Sequence, residues 1–221
     1  PLPDEVIVYP GHGAGSACGK NMSRETIDTL GHQKRVNYAL RANMTKEEFI
    51  REVTKGLVEP PQYFPYNVLM NLQGGMEGID DIIARGNRPL TVREFQTVWE
   101  SMEALVLDTR KKEEFVAEHI PGSIFIGLDD NFAPWAGTLI PDLKMPILFL
   151  ADEGREEEVV IRLSRVGYDN TVGFLKGGMT AWKDAGFETT LINEISPDDF
   201  ATLYEIDRPH VILLDARRRS E

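Results

Sequence analysis

The residues able to do chemistry in this chain sit in two glycine-containing loops, each at the end of an apolar run. The first follows Val6–Tyr9 and reads Pro10-Gly11-His12-Gly13-Ala14-Gly15-Ser16-Ala17-Cys18-Gly19, with Lys20 and Arg24 close behind. Imidazole is a metal ligand and a proton carrier, but a single histidine cannot hold iron or zinc against water. The chain's one cysteine, Cys18, admits two readings. Lys20 and Arg24 beside it would lower its pKa and make it reactive, whereas burial would make it a small packing residue. The two cations could also pair with a substrate carboxylate. The second loop, Ala151-Asp152-Glu153-Gly154-Arg155, follows the apolar run from Pro146 and leads into Glu156-Glu157-Glu158. It holds no nucleophile and only one cation. Its carboxylates would repel an anion, and they suit the first turn of a helix, where the dipole favours negative charge.

The elements that position these loops follow from periodicity. Pro146–Ala151 is a continuous apolar run, as in a strand buried on both faces. Val159, Val160, Leu163 and Val166 then mark an amphipathic helix that Gly167 stops, and Val172–Leu175 is a further short strand. Thr91-Val92-Arg93-Glu94 and Thr45-Lys46-Glu47-Glu48 are capping boxes that start helices. Leu105–Leu107 is a strand delivering Asp108, which with Arg110 forms an ion pair that fixes the next loop. Helices are expected over Lys20–Leu40 and from Tyr63 to Leu72. Strands alternating with helices imply an α/β fold with a parallel sheet, and chemistry at the strands' carboxyl ends.

From about Leu90 to Leu191 the chain resembles the rhodanese (sulfurtransferase) family. The resemblance rests on Asp108-Thr109-Arg110, on Glu118-His119-Ile120-Pro121-Gly122-Ser123, and on Gly177-Gly178-Met179-Thr180-Ala181-Trp182 followed by Ala185-Gly186-Phe187. It implies a doubly wound parallel sheet in which Asp108, Arg110, His119, Gly177, Gly178 and Trp182 serve structure. Active members carry a cysteine directly after the central strand, in a ring of backbone N–H groups that stabilises a thiolate or persulfide. Here that place falls at Leu150, Ala151 or Asp152. The loop Ala151, Asp152, Glu153, Gly154, Arg155 is therefore expected to be degenerate and the domain unable to transfer sulfur.

Residues 1–75 resemble the C-terminal part of the metallo-β-lactamase fold, within it the persulfide (sulfur) dioxygenases joined to rhodanese domains. The resemblance rests on the strand, the Tyr9–Gly19 loop and three helical segments. It implies a final histidine of the fold at His12, near a metal, and a substrate pocket that Cys18, Lys20 and Arg24 could line. The fold's main metal motif, H-x-H-x-D-H, is absent from the sequence. No catalytic metal is therefore expected in this chain, and iron, or alternatively zinc, in a longer parent.

The expected organisation is residues 1–75 as the metallo-β-lactamase-like part, 76–89 as a linker with a short helix, and 90–194 as the rhodanese-like domain. Residues 195–221 would open a second, truncated module, because Leu90-Thr91-x-x-Glu94-Phe95 is echoed by Ile195-Ser196-x-x-Asp199-Phe200, and Leu107-Asp108 by Leu214-Asp215. Val211–Leu214 would be its first strand. The chain is accordingly expected to be a piece of a longer protein.

Composition narrows the partners. With a net charge of −12 and scattered Lys and Arg, the chain lacks a nucleic-acid-binding surface. No apolar stretch approaches the roughly 20 residues of a membrane span, and one cysteine fits a reducing, cytoplasmic setting. The function that follows is a catalytically silent part of a persulfide dioxygenase/rhodanese fusion acting on a persulfide substrate. The alternatives are a rhodanese-fold interaction module, as a homo-oligomer or with a basic partner, and part of a glyoxalase II-type thioester hydrolase.

Overall fold

The computed structural model describes residues 2–11, 26–56, 63–74 and 77–216, and contacts divide the chain into two units, Pro1–Glu59 and Pro60–Glu221. In the first, β1 (Ile7–Val8) pairs antiparallel with β2 (Asp28–Thr29), and α1 (Leu30–Val36) follows without a break. The helix expected over Lys20–Leu40 is thus only partly found. Residues 20–25 lie outside the described residues, and Asp28–Thr29 is strand because it completes a ladder with β1. Helix begins only where the Thr29 hydroxyl accepts the His32 N–H at 3.2 Å. A 3-10 turn spans Tyr38–Leu40, and α2 (Lys46–Thr54) starts at the expected capping box of Thr45 and Glu48.

The second unit opens with α3 (Tyr63–Gln73), which the sequence groups with residues 1–75 but whose buried Tyr63 joins this unit's core. Residues 76–89, expected as a linker, hold α4 (Ile79–Gly86), and this helix is a packed layer. Its Ile82 is buried in one core with Val159 and Val160. Gly86 brings it against the sheet, since a Cβ there would overlap the Thr171 hydroxyl and come within 2.9 Å of Val160 Cγ1. The apolar pair Ile82 and Ile83 explains the docking: a free linker would leave both in water.

Then come β3 (Pro89–Leu90), α5 (Val92–Met102), β4 (Leu105–Asp108), α6 (Lys112–Ala117), β5 (Ile124–Phe125), α7 (Phe132–Leu139), β6 (Ile147–Leu150), α8 (Glu156–Ser164), β7 (Thr171–Leu175) and α9 (Gly178–Asp184). The five strands form one sheet in the order β3-β7-β6-β4-β5, and every pair is parallel. Side chains alternate across it. Leu107, Ile147 and Phe149 face a core completed by α4, α7 and α8, whereas Val106, Leu148 and Leu150 face one completed by Phe95 of α5 and Met179 and Trp182 of α9. β6 lies in the middle and is buried at every residue, so the loop that leaves it has a rigid base.

α10 (Pro197–Asp207) is capped by Ser196, whose hydroxyl accepts the Asp199 N–H at 3.1 Å. The strand expected at Val211–Leu214 does not form: residues 211–216 are irregular, and Ile212, Leu213 and Leu214 are exposed. An extended apolar run becomes a strand only when a neighbour completes its hydrogen bonds. Among the described residues no helix is long and apolar enough to cross a membrane.

Candidate functional site

The loop between β6 and α8 occupies the carboxyl edge of the central strand, where an α/β sheet usually places its chemistry. Its entrance is fixed from β4: the backbone N–H and the hydroxyl of Thr109 both donate to the Leu150 carbonyl, at 2.9 and 2.7 Å. The chain then turns sharply, with the Arg155 N–H donating to the Asp152 carbonyl at 3.0 Å. Gly154, at φ 84°, occupies the left-handed position that this turn requires. α8 starts without a side-chain cap, and the first-turn carboxylates of Glu156, Glu157 and Glu158 face its positive end instead.

What the sequence left hidden is where Arg155 goes. Its guanidinium forms a two-pronged pair with Asp129, at 2.8 and 3.0 Å, and donates to Glu158 at 2.9 Å. Glu158 also pairs with Arg162 at 2.7 Å, and Arg162 donates to the Leu128 carbonyl at 2.6 Å. This ladder ties the segment at 128–129 to the first turns of α8. The spacing of Arg155, Glu158 and Arg162, three and then four residues apart, is legible as a helix-face pair series. Asp129 carries no such signal, since 26 residues separate it from Arg155. Asp152, Glu153, Glu156 and Glu157 have no ion pair among the described residues.

The hydrogen bonds from Arg155 hold the carboxyls of Asp129 and Glu158 below the usual range, and the same bonds push the guanidinium's pKa up. A carboxyl whose folded pKa is depressed stabilises the fold above its unfolded value, near 3.9 for Asp, and loses that contribution as pH falls through the folded value. Asp129→Asn is therefore expected to lower the urea midpoint at pH 7, and the gap to the parent chain should close below about pH 4. A gap that widens on acidification would contradict the pairing.

The other sequence candidates fall into place as follows. Asp108 is fully buried and pairs with Arg110, at 2.9 Å to Nε and 2.6 Å to Nη2, and Arg110 also donates to the Glu118 carbonyl at 2.9 Å. His119 is buried, its Nδ1 2.7 Å from the Phe115 carbonyl and its ring stacked on Phe115 at 3.9 Å. Nδ1 must therefore carry the proton, and the ring is held in structure. Gly177, at φ 78°, and Gly178, at φ 54°, form the left-handed entry to α9, whose Trp182 is buried and donates its indole N–H to the Glu188 carbonyl at 2.9 Å. His12, Cys18, Lys20 and Arg24 lie outside the described residues. Among the described residues, no three His, Cys, Asp or Glu side chains are grouped to hold a metal ion.

Chemically, residues 151–155 offer a methyl group, two carboxylates, a glycine and a guanidinium already held by two acids. The loop has no thiol to carry sulfur and no uncommitted cation to attract an anion.

Comparison with known proteins agrees with this architecture. Residues 91–185 match the family model of the rhodanese-like domain. A solved metallo-β-lactamase from Staphylococcus aureus subsp. aureus COL is similar over 78% of this chain, with 29% identity and a TM-score of 0.58, and this chain spans 45% of its length. The rhodanese-like domain of the Alr3790 protein from Anabaena sp is 19% identical (TM-score 0.41, 60% of this chain, 96% of that one). A thiosulfate sulfurtransferase from Pseudomonas aeruginosa is 24% identical (TM-score 0.38, 59% of this chain, 26% of that one). No curated protein matches the chain. The chain thus contains a rhodanese-like α/β domain over residues 91–185 and has a metallo-β-lactamase as a structural neighbour.

Proposed function

We propose that this chain is part of a persulfide dioxygenase/rhodanese fusion of sulfide and persulfide metabolism, in which the rhodanese-like module is a structural or docking domain that transfers no sulfur. The β6–α8 loop carries this reading. Sulfur transfer by a protein thiol requires a thiolate to attack the donor's outer sulfur and keep it as a persulfide. Residues 150–155 hold no thiol, and Arg155 is engaged by Asp129 and Glu158, so the first sulfur–sulfur bond has nowhere to form.

The dioxygenase half is supported by the likeness to a metallo-β-lactamase over 78% of the chain, a share that extends into the rhodanese-like domain. In this reading His12 lies near the metal, and Cys18, Lys20 and Arg24 line the persulfide pocket. The sequence carries no H-x-H-x-D-H motif, and in this reading the iron would be held by other parts of the parent. Residues 195–221 open a second rhodanese-like module; the repeated capping sequence at Ser196–Asp199 and the exposed apolar residues 212–214 support this.

The test is a thiosulfate:cyanide sulfurtransferase assay on the purified chain, with Cys18→Ser alongside. No thiocyanate above the protein-free background is expected from either. Turnover that persists in Cys18→Ser would place sulfur chemistry in the rhodanese-like domain and overturn the reading. Turnover abolished by Cys18→Ser would overturn the silence of the chain and move the chemistry to the first loop.

A further inference from the structure

We propose that the groove between α5 and α9 is a docking site for an arginine-bearing segment of a partner protein. It encloses about 520 Å³ and is floored by Trp99, Trp182 and Phe187. Phe187 lies 4.7 Å and Trp99 6.4 Å from the Trp182 ring, centroid to centroid. The bond from the Trp182 indole N–H to the Glu188 carbonyl pins the central ring. The lining includes Glu100, Glu103 and Glu188 and, among the described residues, no lysine or arginine. None of the three carboxylates forms an ion pair among the described residues; the one recorded contact is a hydrogen bond to Glu100 from Gln96, at 2.9 Å.

Three carboxylates without a basic partner around an aromatic floor suit a cation. Indole is the best side chain for cation–π contact, and arginine adds a planar fork that stacks on a ring while reaching a carboxylate. Glu103 ends α5 in the left-handed conformation of a helix C-cap. Its φ of 49° makes it the one non-glycine residue with positive φ among the described residues, a conformation usually left to glycine or asparagine. The acids come from three places: α5, its C-terminal cap, and the segment after α9. Their spread around an open groove suits a chain bearing several cations rather than one small ion, and the net negative charge excludes nucleic acid. The site is separate from the β6–α8 loop and does not depend on the silence of that loop.

The probe is an amidated hexa-arginine peptide titrated into the full chain by calorimetry and by NMR of the tryptophan indole N–H signals. Saturable binding is expected, with shifts at Trp99 and Trp182 and none at Trp135, which lies on α7 outside the groove. Glu100→Gln/Glu103→Gln/Glu188→Gln and Trp99→Leu should each weaken binding by about tenfold or more. Glu5→Gln/Glu153→Gln/Glu205→Gln removes the same charge elsewhere and should change it by less than about threefold. The glutamine triple leaves the aromatic floor intact, so the test survives if Trp99→Leu fails to fold. Equal loss in the two triples, equal shifts at Trp135, or no saturable binding would each overturn the proposal; the first would assign the attraction to net charge alone.

Discussion

Asp108→Ala is expected to lower the unfolding free energy by about 3–5 kcal/mol, the usual loss when one partner of a buried ion pair is removed. Asp108 is fully buried and the Arg110 side chain is 10% exposed. The two share three contacts of 2.6 to 3.2 Å, and Asp108 also accepts the Arg110 backbone N–H at 3.2 Å. Without the carboxylate, the guanidinium keeps only the Glu118 carbonyl and a Glu114 oxygen 4.0 Å away. The loss is large because a charge is left stranded, not because the pair is strongly favourable. Asp108→Leu/Arg110→Met, which removes both charges, should therefore recover much of it. Urea unfolding of the three chains decides the matter. A loss below about 1 kcal/mol in Asp108→Ala, the range of exposed pairs, would show that the pair is solvated.

Trp182→Ala is expected to cost about 3–5 kcal/mol, as for large aromatic truncations in a core. The indole is 3% exposed and packs edge-on against Phe95 at 6.2 Å as well as against Phe187 and Trp99. Truncation opens a cavity where α5 and α9 meet the sheet and leaves the Glu188 carbonyl without its donor. Trp182→Phe keeps most of the ring contact but not the hydrogen bond, so it should lose clearly less. Equal losses in the two variants would mean that the indole N–H, rather than ring packing, dominates. A loss under about 1 kcal/mol in Trp182→Ala would show that the core closes over the gap.

Much of the fold could be read locally. The capping boxes at Thr45–Glu48 and Thr91–Glu94 depend on residues three apart, and both start the helices expected. The buried central strand Ile147–Leu150 is equally direct, because a strand covered on both faces must be apolar throughout. Val211–Leu214 shows the limit. Its composition is that of a strand, yet pairing belongs to the neighbour and not to the run itself. Asp28–Thr29 shows the converse, two polar residues made strand by a partner some 20 positions away. α4 was expected as a short helix, but its packing was not legible: Gly86 reads as a linker residue until Thr171 and Val160 are seen pressing on it.

The site divides in the same way. The sequence by itself determined which groups the β6–α8 loop can offer, and hence that no thiol follows the central strand, because covalent content does not depend on packing. Only the tertiary structure decided what its charges do. Arg155 meets Asp129 from a distant segment, and Trp99 of α5 meets Trp182 of α9. Ion pairs and aromatic contacts act over a few ångströms of space, and a chain's spacing says nothing of that distance until the sheet has brought the segments together.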